Sequence, residues 1–397
     1  MITNYNSFSY LLLLLFPFAI LTGSFFVNFI SILLAITYLI NIKVFTNKKF
    51  FQENLYLFIF FLVCLISSLL SDYKLHSFRK TIAFVGELVF LLAIINMVLK
   101  NNEKQLITLS KIVFFISIFI CIDLWFQWYF KENILGYPIQ QAGRLTSIFG
   151  DEQIPGSIIF KFLPFILYFL LSIKKKNFFY KLKYLIFIFI YFSIFVTGER
   201  AASILATLFI FLLIVLNYKF LNKKKLLVYF MIFMSIFMFL FYSKESIVKQ
   251  RIDFTINNQI HNNIYEKLYA NAISVFYKNP LFGSGVQTYR FECKKIGTNC
   301  STHPHNYILE LLSDIGLFGF LSFFIYIFFI IKKKLKSVYE NIFLKNLIII
   351  CSICFFFPFI PTGSIFSSFS YNITLFSLGF VLSIGKKNLF FNNNKLN

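Results

Sequence analysis

The chain has 397 residues, of which 58% are hydrophobic and only 14% are charged. This composition excludes an ordinary soluble fold, because a soluble domain of this length has too little interior to bury so much apolar surface. The formal net charge of +22 does not indicate nucleic-acid binding either, since the basic residues form short clusters between apolar runs rather than one basic face.

Apolar runs recur from one end of the chain to the other. A helix needs about 17 to 25 apolar residues to cross the hydrocarbon core of a bilayer, and many of the runs reach that length. We predict an all-α integral membrane protein that forms a single polytopic domain over residues 1–397. Its twelve predicted spans lie near residues 8–22, 25–42, 55–71, 81–99, 107–130, 156–173, 182–198, 201–218, 226–243, 307–331, 345–361 and 364–385.

The distribution of lysine predicts the orientation of these spans. The connections after even-numbered spans, including the C-terminal tail, hold 22 lysines. Because cytoplasmic connections are enriched in basic residues, we expect that side to be cytoplasmic and both termini to lie inside. The longest outer connection is then a periplasmic loop at 244–306, between spans nine and ten. Within it, Ile264, Leu268, Ala272 and Phe276 have the spacing of one amphipathic helix.

All the arginines fall on the predicted outer side, although the positive-inside rule favours the opposite. A planar guanidinium group binds two phosphate oxygens at once, which lysine cannot do. Arg200 is the most informative, because it lies between two long apolar runs, where a charge is costly unless it has a partner or faces a cavity. We therefore predict an anion site at the outer surface, with structural ion pairs or lipid headgroups as the alternatives. The arginines are Arg79, Arg144, Arg200, Arg251 and Arg290.

Two histidines end the predicted outer loop, in the sequence His303-Pro304-His305-Asn306 directly before the tenth span. A histidine at this depth is wet enough to titrate and close enough to the membrane to meet a lipid-linked substrate. With an ordinary pKa of about 6.5, imidazole can act as a general base at neutral pH. A hydrogen-bond donor at the membrane interface is the alternative.

Cys293 and Cys300 lie in the same outer loop. An oxidising compartment favours a disulfide between them, which would hold the loop just ahead of the two histidines; two free thiols are the alternative. The sequence contains no cysteine and histidine array with metal-ligand spacing and no phosphate-binding P-loop. We therefore expect neither a metal ion nor another cofactor.

Four motifs resemble the O-antigen ligase and O-antigen polymerase superfamily, in the same order along the chain. In the signature region, 279–320, the run N-P-L-F-G-S-G-V-Q-T-Y at 279–289 precedes H-N-Y-I-L-E-L-L-S-D-I-G-L-F-G at 305–319. The second run is a His-Asn pair that opens a helix with an acidic residue and a Gly-x-x-Gly step. R-L-T-S-I-F-G-D-E at 144–152 and T-G-E-R-A-A at 197–202 resemble the family's arginine-bearing outer segments. Their shared order on one predicted side makes the resemblance specific.

The resemblance implies a transfer reaction at the periplasmic face of a bacterial inner membrane. An oligosaccharide or polysaccharide would pass from undecaprenyl-pyrophosphate to an acceptor hydroxyl of the lipid A core, with inversion and without a metal ion. Arg144 and Arg200 would grip the pyrophosphate, and His305 would activate the hydroxyl. The substrate-binding residues implied beside them are Arg79, Arg251, Arg290, His303, Asn306 and Glu310. The implied partners are the lipid-linked donor, the core or a growing glycan as acceptor, and membrane lipids, with no nucleic acid.

Other functions fit parts of the same sequence. A polymerase that joins repeat units, or a transferase that glycosylates protein, shares these motifs, and only the long outer loop favours the ligase by analogy. A secondary transporter or flippase is the rival from another class, because Glu87 and Asp123 lie inside predicted spans. Such a protein would show related halves and broken helices near the midplane. Two departures from the family pattern bear on the subfamily: Glu199 stands where a small residue is common, and Asp151-Glu152 stand where Asn-Pro-Asn is common.

The lysine asymmetry makes the orientation testable with thiol reagents that do not cross the membrane. Cys293 and Cys300 should react in intact cells after reduction, because the predicted outer side is exposed to the reagent. A cysteine placed at Lys174 should react only once the membrane has been opened. Labelling at position 174 in intact cells would overturn the orientation.

Overall fold

The computed structural model describes residues 2–42, 48–99, 102–139, 143–174, 178–218, 264–296 and 300–385. Over these ranges the chain forms helices joined by turns and irregular segments, without a β-strand. The all-α prediction is therefore confirmed for the described part of the chain. Arg251 and the ninth predicted span, at 226–243, lie outside the described residues.

The helices of these ranges follow one another with short connections. α5 continues into a π-helical turn at Ile94–Val98, and a 3-10 turn lies at Ser147–Phe149. In chain order the α-helices are α1 (Ile2–Thr22), α2 (Ser24–Ile42), α3 (Lys48–Glu53), α4 (Leu55–Leu70), α5 (Lys74–Ala93), α6 (Glu103–Phe130), α7 (Pro155–Ser172), α8 (Phe178–Val196), α9 (Arg200–Asn217), α10 (Ile264–Lys278), α11 (Tyr289–Ile296), α12 (Tyr307–Ser337), α13 (Ile342–Phe355) and α14 (Ser368–Ser383).

Local sequence explains where several helices begin. The side chain of Asn102 accepts a hydrogen bond from the third amide after it, at 3.2 Å, and Asn341 does the same at 3.0 Å. Each asparagine thus satisfies an amide that the start of α6 or α13 leaves without a helical partner. Pro155 opens α7, a position where its missing N–H group costs nothing.

Five helices in the described ranges are long and apolar enough to cross a membrane, namely α2, α6, α7, α9 and α12. α1, α4, α13 and α14 contain shorter apolar stretches. Large apolar side chains such as Phe25, Leu62 and Phe211 are exposed on these helices, which is stable when the surrounding solvent is lipid rather than water. These features support a multi-pass membrane protein, while twelve spans and their orientation stay predictions.

The junction between the last two helices differs from the boundaries predicted by hydropathy. The sequence predicts only two residues between the last two spans, whereas α13 and α14 are separated by residues 356–367. Pro358 and Pro361 lack amide N–H groups and restrict the residues before them, so neither helix continues across this segment. The irregular segment instead supplies hydrogen-bond partners to the histidine motif.

One compact unit is assembled from three stretches of the chain, Met1–Lys100, Asn263–Ser337 and Phe357–Ser383. It contains α1–α5, α10–α12 and α14. Phe16 of α1 packs against Phe90 of α5 and Phe376 of α14, with ring centroids 5.3 and 4.7 Å away. Because lipid is as apolar as these rings, close packing rather than removal from water favours such contacts.

A second compact unit is assembled from Asn101–Asn262, Val338–Phe356 and Ile384–Asn397. Its described helices are α6–α9 and α13. Trp125 of α6 donates from Nε1 to Ser193 Oγ of α8 at 3.0 Å. Phe160 of α7 meets Phe355 of α13 edge to face, with ring centroids 5.8 Å apart. The indole N–H of Trp125 needs an acceptor such as Ser193 inside the protein, because lipid offers none.

In the first unit, α12 is broken near its start. Gly316 has φ 65° and ψ −169°, so the helical hydrogen-bond pattern stops there and backbone groups on both sides lose their helical partners. The 280–285 turn of the same unit replaces those partners. Four backbone hydrogen bonds of 2.8–3.1 Å join the two segments: Ser284 N to Ser313 O, Gly285 N to Asp314 O, Leu317 N to Pro280 O and Phe318 N to Leu281 O.

Two glycines permit this close docking. A Cβ atom on Gly283 would lie 2.4 Å from the carbonyl carbon of Asp314, and one on Gly316 would lie 2.5 Å from the backbone nitrogen of Gly283. Both glycines also have a positive φ, 70° and 65°, which other residues disfavour. Gly283 of the 279–289 motif and Gly316, the first glycine of the Gly-x-x-Gly step, therefore serve the contact between the turn and the broken helix.

Replacing Gly283 by Ala should destabilise the first unit, because the added methyl group has no room and φ is positive. We expect a loss of more than about 1 kcal/mol, measured as a lower midpoint of thermal unfolding in nanodiscs. Gly86→Ala is the matched control, since nothing lies within 4 Å of a Cβ atom added to that residue of α5. The control should be neutral or slightly stabilising. Equal midpoints for the two variants would contradict the tight docking.

Candidate functional site

The histidine motif at the start of α12 is fastened to residues 358–365 of the same unit. Thr362 N donates to His305 O at 2.8 Å, and Tyr307 N donates to Thr362 Oγ1 at 3.1 Å. Asn306 Nδ2 donates to Pro358 O at 3.0 Å. The backbone beside the histidines is thus held by a segment that lies about fifty residues later in the chain.

Asn306 and Glu310, both predicted to bind substrate, have partners within the protein. Asn306 Oδ1 accepts hydrogen bonds from the amides two and three residues later, at 3.0 and 3.2 Å, and so caps α12. Glu310 is 1% exposed. Its carboxylate accepts hydrogen bonds from Ser364 Oγ and from Ile365 N at 2.9 Å. Both side chains position the histidine segment, and substrate contact by either stays a prediction.

His305 has an unusual backbone conformation, with φ 55°. Its ring centroid lies 4.1 Å from that of His303 and 6.1 Å from that of Tyr265 on α10. The Nε2 atom of His305 is 3.4 Å from Ser301 Oγ. Such backbone conformations persist only where surrounding contacts hold them, and they cluster at functional sites.

Burial keeps both histidines neutral at physiological pH. Burial and the neighbouring His305 lower the pKa of His303 to about 4, and burial lowers the pKa of His305 from its ordinary value of 6.5. The Nε2 atom of His303 is buried and makes no hydrogen bond to any described residue. A neutral imidazole can accept a proton, which is what a general base requires.

Arg290, on α11, brings a positive charge to the histidine pair. Its Nε atom is buried and makes no hydrogen bond within the described ranges, while its charge acts on His303 and on Glu310. A buried guanidinium nitrogen without an acceptor is costly, so this group is suited to an anionic ligand. Arg79 on α5 and Arg290 both act on His76, which places Arg79 in the same neighbourhood.

A disulfide joins Cys293 to Cys300, with their Cα atoms 5.8 Å apart. Cys293 is fully buried in a cluster with Ala272 of α10 and Tyr289 of α11. Cys300 lies five residues before His305 in the chain. The bond therefore ties the histidine segment to α10 and α11.

In the second unit, the two arginine-bearing motifs lie side by side. Leu145 N donates to Thr197 O at 3.2 Å, so the backbone beside Arg144 is paired with the turn between α8 and α9. Arg144 donates from Nη1 to Gln153 Oε1. Arg200 is the first residue of α9. The resemblance placed both motifs at one site, and in this unit their backbones are neighbours.

Glu199, which precedes Arg200, binds the start of α7. Its Oε1 accepts from Gly156 N at 2.7 Å and its Oε2 from Ser157 N at 3.0 Å. Burial raises the pKa of Glu199 to about 7, against the lowering effects of these two hydrogen bonds and of the charges of Arg144 and Lys161. A carboxylate that is costly to bury is thus held by amides and by neighbouring cations.

Lys161 belongs to the same group, although no motif marks it. It is 9% exposed, on α7, and its charge interacts with Glu199. The signal available in the sequence is a lysine within an otherwise apolar run, where a charge is costly unless it is paired or faces a cavity. That signal identifies a buried lysine but does not indicate its partner.

Asp123 and Glu87 are the two acidic residues that favour a transporter. Asp123 on α6 accepts hydrogen bonds from Ile134 N at 2.9 Å and from Ser147 Oγ at 2.6 Å, so it fastens the connection that follows α6. Glu87 on α5 is 5% exposed, and its Oε2 atom makes no hydrogen bond to a described residue. Asp123 therefore has a structural explanation, and Glu87 has one side-chain hydrogen-bond partner, Ser368.

The predicted site residues thus form two groups, one in each unit. In the first, Arg290 accompanies His303 and His305. In the second, Arg144 and Arg200 accompany Glu199. The resemblance does not assign Glu199 to the site, since a small residue is common at that position in the family. Among the described residues, no three His, Cys, Asp or Glu side chains are grouped to hold a metal ion.

Residues 184–324 match the family model described as O-antigen ligase. The match supports a relationship of this segment to the O-antigen ligase superfamily. None of the curated proteins matches the chain significantly. The O-antigen ligase segment contains Arg200, Arg290, both histidines and the broken start of α12, whereas Arg144 and Lys161 lie before it. The family indicates a glycosyltransferase-like membrane enzyme and does not separate ligase from polymerase.

Because its pKa is lowered, His303 makes the free energy of unfolding of this protein depend on pH. The unfolded imidazole takes up a proton near pH 6.5, whereas the folded one does so only near pH 4. The contribution of neutral His303 to the free energy of unfolding is therefore fully present above pH 6.5 and is lost as the pH falls towards 4. The shift corresponds to about 3 kcal/mol. His303→Gln should flatten this part of the profile in thermal unfolding between pH 4 and 7, and an unchanged slope would contradict a buried neutral His303.

Proposed function

We propose that this protein transfers an oligosaccharide or polysaccharide from undecaprenyl-pyrophosphate to a hydroxyl group of the lipid A core, at the periplasmic face of the bacterial inner membrane. The observation that carries the proposal is the neutral pair His303 and His305, with the charge of Arg290 nearby, inside the segment that matches the O-antigen ligase family. The family supports lipid-linked glycans as the substrate class. The particular donor, acceptor and membrane face belong to the proposal.

His305 serves as the general base in this reaction. The acceptor hydroxyl oxygen attacks the anomeric carbon of the donor sugar, and the hydroxyl proton passes to an imidazole nitrogen of His305. The bond between the anomeric carbon and the pyrophosphate oxygen breaks, and the leaving pyrophosphate takes the electron pair. Attack from the side opposite to the leaving group inverts the configuration at the anomeric carbon.

Guanidinium groups stabilise the leaving pyrophosphate. Because negative charge grows on its oxygens as the bond breaks, cations fixed around them stabilise the transition state more than the ground state. We assign this task to Arg144 and Arg200, as the family resemblance implies. Arg290 is assigned to substrate binding, since its Nε atom is buried without a hydrogen bond to a described residue. The reaction as proposed needs no metal ion, because the donor is already activated.

A polymerase that joins repeat units is the alternative within the same chemistry. Donor, base and leaving group would be unchanged, and only the acceptor would differ. The long connection before the His-Asn pair favours the ligase by analogy with the family. The family match and the structural role of Asp123 favour either enzyme over a transporter, even though α12 is a broken helix.

Deletion of the gene separates these functions. We expect polymer to accumulate on its lipid carrier, because a ligase acts after the polymer is complete. Loss of a polymerase would instead leave single repeat units on the core, which would assign the alternative. The measurement is gel analysis of lipid-linked and core-linked glycan from matched cultures. Unaltered surface glycan together with lost uptake of a solute would contradict both enzymes.

Variants returned to the deletion strain test the assigned residues. His305→Ala should reduce transfer about 100- to 10,000-fold, the usual effect of losing a general base. Arg200→Lys keeps the charge but loses the planar fork, so we expect transfer to fall about 100- to 1,000-fold. Tyr277→Ala is the control for truncation of a ring in the same outer segment, since that side chain is 74% exposed, and it should transfer normally.

Transfer is measured in membranes that contain equal amounts of each variant, so that poor folding is not mistaken for lost chemistry. His303→Ala separates the two histidines. If the His305 variant keeps near-normal activity while the His303 variant loses it, the base is His303 and the assignment to His305 is wrong.

A further inference from the structure

We propose that Glu199 is a positioning residue of the arginine group: its carboxylate joins the start of α7 to the turn before α9 and thereby aims Arg144 at its ligand. The inference rests on the proposed function, in which Arg144 and Arg200 bind the pyrophosphate. It concerns this chain in particular, because a small residue is common at this position in the family that the chain resembles.

Both carboxylate oxygens of Glu199 are occupied by the start of α7. The amides of Gly156 and Ser157 donate to them at 2.7 and 3.0 Å, across a separation of 43 and 42 residues in the chain. These amides are among those that a helix leaves without partners at its N-terminus. An ordinary cap comes from the residue just before the helix. Glu199 instead comes from another connection, so it links two segments of the unit.

The contact is closely packed on the side of the turn. A Cβ atom on Gly156 would lie 2.6 Å from Thr197 Oγ1 and 3.1 Å from Glu199 Oε1. Glu199 N donates to Thr197 Oγ1 at 3.1 Å, which fixes the turn that presents the carboxylate. Leu145 N donates to Thr197 O at 3.2 Å, so the backbone of Arg144 rests on the same turn. Movement of the carboxylate would therefore move the arginine.

Positive charge surrounds the carboxylate. Arg144 and Lys161 both act on Glu199, and the N-terminus of α7 adds the positive end of a helix dipole. Lys161 lies four residues after Ser157, on the same face of α7, and helical side chains lean towards the N-terminus. One carboxylate thus faces two cations and a helix end. The group keeps an excess of positive charge, which suits an anionic ligand such as a pyrophosphate.

The ionisation of Glu199 should be visible in the pH dependence of transfer. Its pKa, raised by burial to about 7, means that the carboxylate takes up a proton as the pH falls through neutrality, and transfer should fall with it. The charged groups around it are Arg144, Lys161 on α7 and the adjacent Arg200. The pKa values of the two histidines lie below 6.5, so the loss of transfer caused by protonating the histidines begins at lower pH.

Glu199→Gln tests the proposal, because the amide has the same size but places an NH2 group against a backbone N–H. We expect kcat to fall about 10- to 100-fold while the donor KM changes less than about threefold, since a misplaced group acts mainly in the transition state. The variant should also lose the dependence of rate on pH around 7. Glu152→Gln is the matched control, since Glu152 is exposed in the same outer connection; it should behave as wild type.

A double variant distinguishes positioning from simple charge balance. Glu199→Gln combined with Lys161→Met removes one charge of each sign. If Glu199 positions Arg144, the double variant should be more stable to heat than Glu199→Gln alone and should still transfer slowly. Recovery of both stability and rate would show that Glu199 only offsets Lys161, and would overturn the proposal.

The Arg144→Lys variant separates failure of this inference from failure of the proposed function. Normal transfer by Arg144→Lys and His305→Ala would contradict the proposed function and, with it, this inference. Loss of transfer in those two variants, with wild-type rates and pH dependence in Glu199→Gln, would leave the function standing and overturn only the role of Glu199.

Discussion

Backbone groups inside a membrane protein must find partners within the protein, because lipid offers none. The break of α12 at Gly316 makes this constraint acute, since it frees carbonyl groups on one side and amides on the other. The 280–285 turn provides hydrogen-bond partners for both sets, and α11 begins four residues after it, at Tyr289. The first turns of α12, directly after His303 and His305, can therefore follow a different path from the rest of the helix.

The same constraint distinguishes buried side chains that have backbone partners from those that keep a buried atom without a hydrogen bond. Asp123, Glu310 and Glu199 each accept hydrogen bonds from backbone amides, so each fastens a connection to a helix. Arg290 and His303, in contrast, each have a buried nitrogen that makes no hydrogen bond to a described residue. A buried donor without a partner, such as Arg290 Nε, costs free energy in the unliganded protein, and a ligand that supplies an acceptor recovers it.

The two groups of residues differ in charge in the way that the proposed glycan transfer would require. Burial favours the neutral form of the histidines, which suits a base. The arginine group keeps its positive charge because Glu199 offsets only part of it. Burial acts on both groups, and its effect differs because an imidazole can lose its proton whereas a guanidinium group cannot.

The sequence by itself determined the membrane environment, the helical class and the motif residues, because the length of an apolar run and the order of polar residues are local properties. It also placed Cys293 and Cys300 close enough in the chain to pair. Only the tertiary structure decided that Glu310 binds Ser364, 54 residues away, and that Lys161 lies beside Glu199. Such contacts join segments whose separation in the chain follows no periodicity, so no local pattern predicts them. The physical reason is that packing and hydrogen-bond satisfaction are settled among all the helices of a unit at once.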